Sequence, residues 1–135
     1  MGQAKITSVI AAPRLRFETI NDNGIAWPVT LYSGYVVLEH DGGYDAATEP
    51  ITFVVPDALP ATRPPKTPAA VQTSVRAVRT GPEPHPLHLG AYDARVDFLP
   101  DPAGGKNVVP RISFHAATAG AVYVEINYQL VIEDS

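Results

Sequence analysis

From Ala121 to Glu133 the chain alternates with a period of two. Val122, Val124, Ile126, Tyr128, Leu130 and Ile132 occupy one set of positions, and Tyr123, Glu125, Asn127, Gln129, Val131 and Glu133 the other. Successive strand side chains point to opposite faces, so this pattern predicts one face on a core and one mostly polar face. At roughly 3.4 Å per residue the strand spans about 40 Å, well beyond the common length, and is expected to be central.

Shorter alternating runs recur upstream, separated by turn residues. Ala4 to Ile10 is apolar at Ile6 and Ile10 with Val9 out of step, which reads as an edge strand or as an arm that docks elsewhere. After Pro13, Arg14 to Ile20 alternates Leu15, Phe17 and Thr19 against Arg16 and Glu18, and Asn21-Asp22-Asn23-Gly24 forms a turn. Trp27 to Leu31 is followed, after Ser33-Gly34, by Tyr35 to His40 and the Asp41-Gly42-Gly43 turn. Ile51 to Val55 places Ile51, Phe53 and Val55 on one face. The segment from Pro56 to Pro68 carries five prolines, which cannot donate to a ladder, so an extended surface loop is expected.

In Ala70 to Thr80, alternation puts Val71, Thr73, Val75 and Ala77 inward and Gln72, Ser74, Arg76 and Val78 outward. Leu87 to Leu89 and Ala94 to Phe98 read as two short strands. Val108 to Ala116 has Ile112 and Phe114 inward, and Ala119-Gly120 turns into the final strand. No window has a capped helical period. The fold class is therefore all-β, an antiparallel β-sandwich of eight to ten strands with a long C-terminal strand. Residues 1–12 form the arm or edge strand, and residues 13–135 one sandwich domain.

Composition narrows the function classes. The 135 residues carry a net charge of −4 and contain no cysteine. Nucleic-acid binding, which needs a basic face, is disfavoured, and disulfides and thiolate metal sites are excluded. The 14 prolines and 10 glycines are spread along the chain as strand punctuation. The N-terminus lacks the charged-then-apolar pattern of a signal peptide, and Ile6 stands where a myristoylation motif needs Ser or Thr. No apolar run reaches the length of a membrane-spanning helix, so a soluble protein without a membrane partner is expected.

Two stretches invite a metal reading. His40-Asp41-Gly42-Gly43-Tyr44-Asp45 groups an imidazole with two carboxylates, but Asp-Gly-Gly also explains itself as hairpin chemistry. His85-Pro86-Leu87-His88, with Asp93 beyond, spaces two imidazoles for a helix that Pro86 prevents. His115 falls on an outward face near Arg111. Ser33-Gly34 lacks the glycine of a nucleophile elbow, and there is no phosphate loop, zinc helix or calcium loop. No catalytic, cofactor-binding or metal residue is assigned, no cofactor is expected, and the chain is not read as an enzyme.

The chemistry left over suits another protein. Tyr123, Glu125 and Val131 on the outward row of the last strand, with Ile6, Val9 and Ile10 of the first segment, are the candidate interface residues. Tyrosine combines contact area with a hydroxyl and is enriched in interface cores. Val78, Tyr92 and Tyr44 add apolar or amphipathic groups. Self-association of such a sandwich closes most naturally into a ring.

Trp27-Pro28-Val29-Thr30-Leu31 with Ser33-Gly34, then Phe53-Val54-Val55-Pro56, then Leu59-Pro60-Ala61-Thr62-Arg63-Pro64, resembles small jelly-roll modules of bacteriophage tail and head-fibre proteins. The strand Val71 to Val78 and Ala94-Arg95-Val96-Asp97-Phe98 follow in similar order. Ala61-Thr62 stand where that family carries Gly and an aromatic, and the last strand is longer. The resemblance implies a jelly-roll-like, trimeric, non-enzymatic virion part that binds other virion proteins or host-surface glycans. With no heptad or collagen-like shaft, the reading is a capsid decoration protein that stabilises the major capsid lattice, soluble in the host cytoplasm before assembly. A tail-tip or head-fibre receptor-binding knob and a carbohydrate-binding sandwich are the alternatives.

Overall fold

The computed structural model describes residues 5–20, 23–24, 26–39, 50–55, 70–81, 86–100 and 108–133. They form eight strands: β1 (Lys5–Ala11), β2 (Leu15–Ile20), β3 (Ala26–Glu39), β4 (Ile51–Val54), β5 (Ala70–Thr80), β6 (His88–Pro100), β7 (Val108–Ala119) and β8 (Ala121–Glu133). No helix occurs among the described residues. The strands build two antiparallel sheets, one ordered β1-β3-β8-β5 with β2 also on β3, the other β4-β7-β6. β3 pairs with β8 in the first sheet and β4 with β7 in the second, so one pair is nested inside the other along the chain. That nesting is the wrapped-hairpin arrangement of a jelly roll. Gly120, at φ 84°, joins β7 to β8 and carries the chain from one sheet to the other. A side chain there would also lie 2.6 Å from the Pro86 carbonyl oxygen.

The core lies between the sheets. Val124, Ile126, Tyr128, Leu130 and Ile132 of β8 are buried, facing Phe53 of β4 and Ile112 and Phe114 of β7. The Phe53 ring meets Phe114 edge-on at 6.2 Å between centroids and Tyr128 at 5.0 Å. Val122, at the start of β8, is only partly buried.

Several elements differ from the alternation rule for identifiable reasons. Trp27–Leu31 and Tyr35–Glu39 are not two strands but parts of one, because Ser33-Gly34 stays in the ladder opposite Gln129 and Tyr128. A Cβ on Gly34 would collide with the Ile10 carbonyl oxygen and approach the Tyr128 hydroxyl to 2.8 Å, so glycine here serves close packing rather than a turn. His88–Leu89 and Ala94–Phe98 likewise belong to one strand, β6, which begins one residue after Leu87. It is interrupted by an irregularity between Tyr92 and Arg95, where Asp93 takes φ 54°. β7 runs on to Ala119 rather than ending at Ala116.

Two further bulges reverse predicted faces. In β1 the register shifts between Ile6 and Ser8, so Val9 comes into step with Ile6 and Ile10 turns to the opposite side. In β5 the shift between Val75 and Ala77 makes Arg76 the extra residue. Ala77 is then exposed beside Glu125, and Val78 pairs with Val124 on the inner side. The N-terminal segment is an integral part of the sheet. β1 and β2 lie end to end along one edge of β3, and the Ala12 N–H donates to the Ser33 carbonyl at 3.0 Å across the junction. Pro13, which has no N–H, separates them.

Candidate binding face

The outward row of β8 sits in the middle of the five-stranded sheet, so its register defines the whole outer face. Tyr123 pairs with Glu39 and Arg79, and Glu125 with Val37 and Ala77. Asn127 pairs with Tyr35 and Ser74, Gln129 with Ser33 and Gln72, and Val131 with Leu31 and Ala70. The face therefore changes character along β8, from aromatic and charged, through amides and hydroxyls, to apolar.

At the first end five side chains interlock. The Arg76 guanidinium lies 4.2 Å from the Tyr35 ring centroid, and its Nε stands 3.6 Å from Glu125 Oε1. Arg79 lies 5.1 Å from the Tyr123 ring centroid, and the Tyr123 hydroxyl points at Glu125 Oε2 at 3.4 Å. Desolvation by its neighbours and the adjacent Glu125 carboxylate hold the Tyr123 hydroxyl above its ordinary pKa, against the pull of Arg79. The β5 bulge builds this cluster. Without the extra residue Arg79 would fall on the inner side, which is why plain alternation misses it.

The middle of the face opens into a groove of about 810 Å³. Ser33, Gln129 and Gln72 form one cross-strand row along it, and Tyr35, Asn127 and Ser74 the next. Tyr92 and Asp93, at the β6 irregularity, also line it. Tyr92 stacks on His115 with ring centroids 5.5 Å apart.

Of the six candidate interface residues, Tyr123, Glu125, Val131 and Ile10 share this outer face. Ile6 and Val9 do not; they pair with Leu38 and Val36 and pack, partly buried, against the core. Ile10, 44% exposed, lies beside Tyr35 at the groove. Val131 is separated from Glu125 by the Asn127 and Gln129 rows and belongs instead with Leu31 and Leu15, the last 58% exposed. His40, Asp41, Asp45, His85 and Tyr44 lie outside the described residues. Among those described, no three of His, Asp and Glu gather as metal ligands. His88 and Asp93 are both exposed on β6.

The other sheet presents a different outer face. Arg111 Nε donates to Asp97 Oδ1 at 2.9 Å while its Nη2 meets Oδ2, a two-pronged pair. The Arg111 hydrogen bond and charge lower the Asp97 pKa. Thr52 and Ser113 hydroxyls meet at 3.0 Å. Its polar groups are largely engaged with one another.

No protein family, no curated protein and no solved structure matches the chain.

Proposed function

We propose that this chain is a non-enzymatic virion protein that assembles as a trimer through the Tyr123 end of its five-stranded sheet and decorates a capsid lattice. The interlocked cluster of Tyr35, Arg76, Tyr123, Glu125 and Arg79 carries this reading. Tyrosine and arginine are the side chains that most often anchor protein interfaces. Here they are held against one another before any partner arrives, so less rotamer freedom remains to be lost on docking. Repetition around a symmetric trimer multiplies modest contacts into firm attachment. Quantitative mass spectrometry of purified particles tests the proposal. Hundreds of copies per particle support decoration; absence from particles, or a few copies at one vertex, overturns it.

A further inference from the structure

The groove beside that cluster has a chemistry of its own, and we infer that it is a binding site for a neutral glycan strand. Its outer-face lining is dominated by Ser33, Gln72, Ser74, Asn127 and Gln129. An amide offers both donors and acceptors, and a hydroxyl offers both as well. That duality matches sugar hydroxyls, which present donor and acceptor together at every carbon. Among the described residues, none of these five side chains is engaged in a hydrogen bond with another, in contrast to the Thr52–Ser113 and Arg111–Asp97 pairs of the opposite sheet. Tyr35, one side of whose ring is covered by Arg76, adds the other side as amphipathic surface of the kind that packs on sugar C–H groups. The groove's volume of about 810 Å³ falls inside the range of roughly 300–1,000 Å³ typical of ligand clefts.

The same lining argues against other ligand classes. Among the described residues the one arginine lining the groove, Arg76, is already set against Glu125 and Tyr35, and Asp93 adds a negative charge to the lining, so these residues offer an anion no free cationic clamp. Asp93 alone does not make a cation site. An apolar ligand would bury the amides without partners, at a cost for each.

Saturation-transfer NMR with neutral tetrasaccharides (chitotetraose, maltotetraose, cellotetraose and mannotetraose) and a heparin-derived tetrasaccharide tests the assignment. It is combined with 15N spectra of the side-chain amides. Binding of at least one neutral probe at about 10 mM or below is expected, with the Gln72, Asn127 and Gln129 amide signals shifting. Gln129→Ala and Asn127→Ala should each weaken it roughly tenfold while the thermal midpoint stays unchanged. Binding should survive Tyr123→Ala, which keeps the result separate from self-association. No neutral probe binding, binding of the heparin fragment alone, or binding indifferent to both amide substitutions overturns the inference.

Discussion

Gly34 shows how one residue can be misread from sequence and still be indispensable. Beside Ser33 it resembles a turn, yet it lies mid-strand, where the Tyr128 ring and the Ile10 carbonyl occupy the space a side chain would need. Gly34→Ala should therefore lower stability by about 1–3 kcal/mol, read as the urea midpoint at unchanged slope. An unchanged midpoint would mean that β1 moves aside freely. Tyr128 makes the opposite case. Its hydroxyl is buried and has no hydrogen-bond partner among the described residues, and burial raises its pKa. Removing the hydroxyl in Tyr128→Phe should leave stability unchanged or raise it by up to about 1 kcal/mol. A clear loss would reveal a partner for that oxygen.

At the level of strands, period-two alternation was enough to place Val124, Ile126, Tyr128, Leu130 and Ile132 in the core, because β8 pairs regularly with β3 along its length. Ile126→Ala should cost about 2–5 kcal/mol in the same denaturation measurement. Alternation failed in β1 and β5, each of which contains a bulge, whereas Val96 and Phe98 of β6 pack against the core as alternation places them, past that strand's own irregularity. One extra residue inverts every later side chain, and nothing in Thr7 or Arg76 announces it in sequence. Of the edge strands of the five-stranded sheet, β1 and β5 carry such bulges, a feature that discourages edge-to-edge pairing with other chains, while β2 pairs with β3 without one. The Arg111–Asp97 pair across β7 and β6 gives a pH test. Asp97 has a lower pKa folded than unfolded, so its contribution is complete above the unfolded value of about 4 and is lost as pH falls through the folded one. Asp97→Asn should therefore shrink the difference in urea midpoint between about pH 7 and about pH 3. An identical difference in both proteins would show that the pair contributes nothing measurable.

For the whole molecule, the sandwich was legible in sequence while the candidate binding face was only half so. Tyr123, Glu125 and Val131 could be placed on one outward row, but not the register that brings Arg76, Arg79 and Tyr35 to them from other strands. For the N-terminal segment the structure takes the edge-strand alternative over the docking arm. As a docking arm it would be dispensable for folding; as β1 it covers an edge of β3 and sets Ile6 and Val9 against the core. Deletion of residues 2–12 should lower the thermal midpoint and promote aggregation, whereas an intact, equally stable domain would show that the strand is not needed for the fold. The central claim, that the Tyr123 end of the five-stranded sheet joins copies of the chain, is tested most directly by sedimentation equilibrium of the wild type and Tyr123→Ala. The prediction is a species of three chain masses for the wild type and of one for the variant, with unchanged far-ultraviolet circular dichroism. A wild type that stays at one chain mass, or a variant that remains a trimer, would contradict it.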